Sequence, residues 1–581
     1  MNSKPFWKYI NSKTKSRGKI VELVNSEGES VTDDYGKAQL LNNYFASVFT
    51  VEKDGDIPSI DRDLSHVEII ENIQVSEQKM VKHLLNLNIS KAAGPDGLNC
   101  RVLKELANEI APALKLLFDK SMQEGTLPSQ WKQANVVALF KKGSKKSPSN
   151  YRPVSLTAVC CKVFEKIIRD CIVDKLEAQG LIHTDQHGFR GGRSCNTQLL
   201  EIMEIWTKWM DLGIPWDVVY TDFSKAFDSV PHKRLLSKLY SYGIRGNLLN
   251  WIENFLSDRK QRVALGKHMS EWKPVTSGIP QGSVLGPILF VIFINDMPDT
   301  IASFKTLFAD DAKIFKAIES LNDITIIQDD ICKLMQWSIK WQLPFNVSKC
   351  KVMHYGKKNP NHVYSMNNLQ LASDTEEKDL GVIFDTSMTF KTHIRKMISK
   401  ANARIGFIKR SFSKLKCHSF KIIYKSLIRP ILEYCSSIWF PLYKGDSLEI
   451  EKVQRRATKL VPELKDLPYD QRLKKLNLTT LAYRRRRSDV LQVYRIVNNI
   501  DNLDFNMFFK RNVHPTRGHS CKLEKPRASS SIRQNCFSNR VINVWNSLPD
   551  SVVNSPSINS FKNALEKYWL HDPSKYDICF S

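Results

Sequence analysis

Three aspartates carry the strongest chemical signal in this chain. Asp310 and Asp311 lie in the run Phe308-Ala-Asp-Asp311, between two short apolar stretches, Phe304–Phe308 and Ala312–Phe315. That pattern predicts a strand, a turn and a second strand, with the acidic pair at or beside the tip. A third carboxylate, Asp222, ends another apolar strand, Val218-Val-Tyr-Thr221. Neighbouring carboxylates repel, and burying them unpaired is costly, so such a set calls for water or cations. Hard oxygen donors converging from two strand ends suit Mg²⁺, which takes a few carboxylates plus substrate phosphates. The chemistry implied is phosphoryl transfer with two metal ions. An Asp-Asp dipeptide alone is more often a solvated turn. The chain's other such pair, Asp329–Asp330, is expected to be exposed helix surface.

Basic and glycine-rich segments surround this acidic set in sequence. Asn135-Val-Val-Ala-Leu-Phe140 reads as a buried strand, followed by Lys141, Lys142 and a loop to Asn150-Tyr-Arg152. Such a hairpin projects the two lysines and Arg152 together. The planar fork of an arginine suits a phosphate because it makes two bonds at once. A solvated basic hairpin is the alternative. Phe227, five residues after Asp222, is placed either under an incoming sugar or in the core. Ser277-Gly-Ile-Pro-Gln281-Gly282-Ser-Val-Leu-Gly-Pro287 leads into the apolar helix Ile288–Asn295. Glycines there permit close backbone approach, and free N–H groups at a helix start favour anions.

The elements that must position these residues come from a chain of 581 residues, 42% hydrophobic and 25% charged. That composition describes a globular protein of about three or four domains. Net charge is +26, and between Lys391 and Ile500 basic residues outnumber acidic ones by more than three to one. A regional excess of this kind attracts a polyanion, with a nucleic-acid backbone the natural partner. Arg484, Arg485, Arg486 and Arg487 form the densest cluster. Four consecutive arginines face nearly all round a helix, so direct contact with nucleic acid stands beside a solvated face or a nuclear-import signal. The longest apolar run, Ile288–Ile294, is too short to span a bilayer, and no secretory signal opens the chain. Twelve cysteines without a C-x-x-C pair or zinc-finger spacing suggest reduced thiols, hence a nuclear or cytoplasmic protein that is not secreted. Helical spacing is expected in residues 1–50 (Phe6, Trp7, Ile10, then Leu40, Leu41, Tyr44, Phe45), in Gln78–Ile89, Val102–Glu124 and Ile324–Gln342, and through most of the basic region.

In order along the chain, KAAGPDGL, LFKKGS with NYRPVSLT, HGFRGGRS, YTDFSKAFDSVPH, SGIPQGSVLGPILF, FADD, FNVSKC and DLGVIFD resemble the reverse transcriptases of non-LTR (LINE-like) retrotransposons. The flanking segments are most similar to the jockey and CR1 types, and the resemblance covers nearly the whole chain. It implies an α+β, right-hand polymerase with fingers, a palm built on an antiparallel sheet, a helical thumb, and helical extensions at both ends. The corresponding divisions are 1–75 (N-terminal extension), 76–130 (N-terminal part of the fingers), 131–385 (fingers and palm), 386–500 (basic thumb) and 501–581 (C-terminal tail).

The same resemblance assigns roles. Asp222, Asp310 and Asp311 match the catalytic, metal-binding aspartates, with two Mg²⁺ ions implied and Mn²⁺ an alternative. Asp310 ranks above Asp311 as a ligand. Arg152, Lys141 and Lys142 match residues that hold the triphosphate. Phe227 matches the aromatic that excludes ribonucleotides, Gln281 and Gly282 the loop under the nascent base pair, and Lys349 the proposed acid for leaving pyrophosphate. Expected partners are an RNA template, a DNA primer, their hybrid and deoxynucleoside triphosphates, with no membrane. Such elements usually carry an endonuclease before the polymerase. Nothing of that length precedes Met1, so a truncated copy or a partial sequence is expected. A catalytically inactive, nucleic-acid-binding relic is the alternative, and a telomerase-like enzyme or RNA polymerase the third reading.

Overall fold

The computed structural model describes residues 20–53, 55–60, 67–412, 414–512 and 518–577. The helix expected around Phe6, Trp7 and Ile10 lies outside them. Helices and sheets are both extensive, so the chain is α+β.

A five-stranded sheet forms the centre, in the order Ala372–Ser373, Lys351–Tyr355, Trp216–Thr221, Asp311–Ala317, Phe304–Phe308. Its middle strand pairs antiparallel on both sides, with Val219 opposite Ile314 and opposite Val352. The apolar character of these strands is nearly unbroken because both faces are covered. Val219, Ile314 and Val352 point into one core, and their neighbours Val218, Phe315 and Met353 point into another. This is period-two alternation between two buried faces, which a hydropathy pattern cannot separate from a buried helix.

The first core is filled by helices Val159–Ala178, His232–Ser241, Gly246–Leu256, Gly286–Ile294 and Leu321–Trp341. Gly286–Ile294 is apolar all round and accordingly buried all round. Among the described residues no helix is long and apolar enough to cross a membrane. The second core joins helix Cys195–Leu212 to the basic helices Lys391–Ser411, Lys444–Thr458 and Leu481–Val497 and to residues 537–569.

A second sheet holds Tyr151–Leu156, Gln133–Phe140 and Arg259–Leu265 side by side, the first pair antiparallel and the second parallel. Helix Asp34–Ala46, capped by the Asp33 side chain, lays Leu41 and Phe45 against Val136, Tyr151 and Val263 of this sheet. Leu40, Leu41, Tyr44 and Phe45 thus sit on a helix as expected, whereas Leu23–Val24 and Ser30–Val31 form a small hairpin instead.

One expectation is corrected here. Asp330 is fully buried, not exposed helix surface. Its two oxygens accept from the backbone N–H groups of Ala302 (3.0 Å) and Ser303 (2.8 Å), just before the acidic hairpin. A buried carboxylate is tolerable when backbone donors satisfy it, and here it fastens the hairpin's entry to helix Leu321–Trp341.

Candidate active site

The strand register brings the three aspartates to one end of the central sheet. Thr221 pairs with Ala312, and the Thr221 hydroxyl donates to the Ala312 carbonyl at 2.9 Å. One further step places Asp222 beside Asp311. Phe308 pairs with Asp311, leaving Ala309 and Asp310 as a two-residue hairpin tip. Ala309 has φ 55°, and Asp310 is not in that region. A positive φ at the first tip residue is the mark of a type II′ turn, a place that favours glycine. Asp222 is held from its other side by the Asn346 N–H, which donates to its carbonyl at 2.7 Å, and by the stacking of Phe223 on Phe345 at 4.3 Å.

Charge crowding is visible in these groups. Burial, joined by the Asp310, Asp379 and Asp222 charges, pushes the Asp311 carboxyl up to about 6, against the opposing pull of Lys313. Burial raises Asp310 as well, with Asp222 adding to it while Arg152 and Lys141 oppose it. The Lys349 ammonium lies 3.0 Å from an Asp222 oxygen. Among the described residues no three His, Cys, Asp or Glu side chains converge into a ready-made ligand set. Asp222 is engaged by Lys349, while Asp310 and Asp311 repel. The donor chemistry fits a hard divalent cation all the same. The oxygens are carboxylate, Asp310 and Asp311 are pushed toward protonation by burial and in part by neighbouring carboxylates, and a cation would relieve that repulsion.

The basic hairpin reaches this site. Leu139 pairs with Arg152, which puts Arg152 on the strand opposite Lys141 and Lys142. Lys142 lines a cavity of about 340 Å³ together with Asp222, Asp311 and Lys349. The Arg152 Nε donates to the Gln281 side-chain oxygen at 2.6 Å, and the Gln281 amide donates to Asp228 at 2.8 Å. The Gln281 carbonyl accepts from the Ser155 N–H at 2.7 Å. Gly282 (φ 132°) is demanded by this approach, since a Cβ there would lie 2.4 Å from the Ser155 oxygen. Phe227 stays partly exposed and stacks on Phe290, with centroids 4.5 Å apart. Sequence, turn and sheet therefore bring together Asp222, Asp310, Asp311, Lys349, Arg152, Lys141 and Lys142, with Gln281 joined through Arg152.

Groups at both candidate anion sites already have partners within the protein. The N–H groups of Val284 and Leu285, at the start of the apolar helix, are not free for a ligand: they donate to buried Glu165 at 2.6 and 3.1 Å. The four consecutive arginines are each engaged within the protein. Arg485 is 2% exposed and donates to Ser447, while Arg484 pairs with Glu433, Arg486 with Asp572 and Arg487 with Glu566. Helix Leu481–Val497 is packed on several sides, so each arginine finds an internal partner, and Arg486 and Arg487 brace the C-terminal residues. Exposed cations instead line helix Lys391–Ser411: Arg395, Lys396, Lys400, Lys409 and Arg410.

Residues not singled out from sequence complete the site. Asp228 anchors Gln281, as above. Asp379 pairs with Lys313 behind Asp311. Lys225 reaches Tyr44 of the N-terminal helix. Residues 185–187, which lead into the HGFRGGRS run at 187–194, pair along the outer edge of the acidic hairpin. The glycine density of that run was the only local sign that a backbone comes close.

Comparison with known proteins agrees with this geometry. A family described as "Reverse transcriptase (RNA-dependent DNA polymerase)" matches residues 141–392. The chain is 26% identical to the "Probable RNA-directed DNA polymerase from transposon X-element" of Drosophila melanogaster, over 78% of this chain and 52% of the relative. It is 26% identical to the "RNA-directed DNA polymerase from mobile element jockey" of the same species, over 75% and 48%. The jockey protein of Drosophila funebris is 29% identical over 62% and 41%. The chain thus spans about half the length of the curated relatives it matches. Residues 141–392 thus match the reverse transcriptase family, a family that generally uses divalent metal ions.

Proposed function

We propose that this chain is the RNA-directed DNA polymerase of a jockey-type non-LTR retrotransposon, extending a DNA 3′-OH along an RNA template. One observation carries the reading: three carboxylates from adjacent strand ends, two of them raised in part by a neighbouring carboxylate, within reach of Arg152 and Lys141. In this reading the central sheet is the palm, the Gln133–Leu156 hairpin belongs to the fingers, and the helices after Lys391 form the thumb.

Asp222, Asp310 and Asp311 would hold two Mg²⁺ ions. Such ions, when bound, supply the charge that activates a hydroxyl and neutralises phosphate oxygens. The chain's own cations would do the rest. Arg152, with Lys141 and Lys142, would orient the triphosphate, giving up the Gln281 contact for phosphate oxygens. Lys349, now on Asp222, would turn to the departing pyrophosphate and carry a proton to it. Gln281 and Gly282 would support the new base pair from below. Phe227, firm against Phe290, would crowd the sugar 2′ position and so select deoxynucleotides. An open groove of about 720 Å³ runs from Lys351 past Lys378 to Lys396 and Lys400, and offers a basic path for the hybrid.

The test is primer extension on an RNA template with Mg²⁺ and deoxynucleoside triphosphates. Extension supports the reading. Tight hybrid binding with no extension would instead identify an inactive, nucleic-acid-binding relic.

A further inference from the structure

The acidic hairpin has a brace that the catalytic reading does not use. Its outer strand, Phe304–Phe308, would be a bare sheet edge on the side away from Asp311–Ala317. The chain covers it with residues 185–188. The Leu307 N–H donates to the Asp185 carbonyl at 2.9 Å, and the Leu307 carbonyl accepts from the His187 N–H at 2.8 Å. The Gln186 side chain, 1% exposed, then turns toward the hairpin tip. Its oxygen accepts two backbone N–H groups, from Gly188 at 2.7 Å and from Ala309 at 3.0 Å.

Ala309 is the residue that needs holding. It sits at φ 55°, 4% exposed, in a position that favours glycine. A non-glycine residue stays in that region only when its surroundings over-determine it. The brace is correspondingly tight: a Cβ on Gly188 would stand 2.5 Å from the Ala309 nitrogen. It is also anchored by the residues that follow it. Arg190 makes two bonds to Glu177, at 2.8 and 2.6 Å, and Glu201 takes both Arg193 (2.8 Å) and His187 (2.9 Å).

We propose that Gln186 is a positioning residue, whose side-chain oxygen fixes the Ala309 turn and thereby aims Asp310 and Asp311 toward Asp222. It touches neither substrate nor reacting atoms and acts only through the turn. The inference rests on the polymerase reading for its catalytic consequence, but not for its structural one.

The test is Gln186→Met, which keeps the shape and removes the acceptor, leaving the Gly188 and Ala309 N–H groups without it. Hydrogen exchange across residues 305–312 of the full chain should accelerate while other core segments exchange as in the wild type. In primer extension, kcat should fall by about 10²-fold, the scale of a small misplacement of reacting groups. KM for deoxynucleotides and affinity for the hybrid should hold. Adding Ala309→Gly, which relaxes the turn, should recover part of the rate. Unaltered exchange at 305–312 overturns the proposal, as does a rate loss that merely tracks lower hybrid affinity and a general drop in melting temperature. If the wild type itself fails to extend a primer while Gln186→Met still loosens the turn, the polymerase reading falls and the positioning role stands.

Discussion

Two clusters of cations compete for the role of gripping nucleic acid, and a paired substitution separates them. Lys396 and Lys400 line the groove that opens from Lys351 beside the acidic site. Lys396 has a weak partner, Glu376 at 3.7 Å, and its side chain is 64% exposed. A pair so open to water contributes little and leaves the ammonium available. Arg486 and Arg487 instead pair with Asp572 and Glu566 and secure the chain's last helices. Each phosphate neutralised adds about 0.7–0.9 to the slope of log affinity against log salt. Lys396→Ala with Lys400→Ala should therefore flatten the slope by about 1.4–1.8, so the affinity lost between 50 and 200 mM salt shrinks about tenfold. Arg486→Ala with Arg487→Ala should leave the slope unchanged. It should cost about 1–2 kcal/mol of stability, from two part-exposed ion pairs and the Arg486 contact over Trp569. Fluorescence anisotropy of a labelled RNA–DNA hybrid across a salt series reads the first quantity, and urea unfolding reads the second. A flattened slope in the arginine variant, with none in the lysine variant, would refute the reasoning and restore the arginine cluster as the grip.

Other expectations follow from the same geometry. Asp310→Asn should abolish synthesis by a factor beyond about 10²–10³, the cost of one lost transition-state contact, with hybrid affinity retained; measurable extension at the wild-type rate contradicts its role. Phe227→Val should raise ribonucleotide incorporation in single-nucleotide extension, and unchanged selectivity would remove the sugar-screening assignment. His393, buried between the Val382–Asp385 strand and helix Lys391–Ser411, accepts from the Ile383 N–H at 3.2 Å and is pushed down to about 4 by burial, with Lys378 adding to it. Its folded value lies below the unfolded 6.5, so the folded state binds the proton less readily. The stability it supports is present above pH 6.5 and is lost as pH falls toward 4, up to about 3 kcal/mol. Melting curves between pH 7.5 and 5 should show a steeper decline for the wild type than for His393→Gln, and parallel curves would refute the linkage.

Local pattern determined much of this protein. Alternation and turn chemistry around FADD placed a hairpin with Asp310 and Asp311 at or beside its tip, and the apolar run ending at Asp222 read as a strand, because both signals are carried by adjacent residues. The glycine at 282 and the basic hairpin through Arg152 were legible for the same reason. Tertiary structure alone decided which charge meets which. Asp330 looked solvated until a distant loop supplied two N–H groups, and Arg484–Arg487 looked like a polyanion site until Glu433, Glu566 and Asp572 arrived from elsewhere in the chain. The partners of Gln186 and Asp228 were equally invisible, being 123 and 53 residues away. Backbone conformation is governed by neighbours in sequence, whereas a buried polar side chain is governed by whatever packing brings to it, and that choice is made only when the cores close.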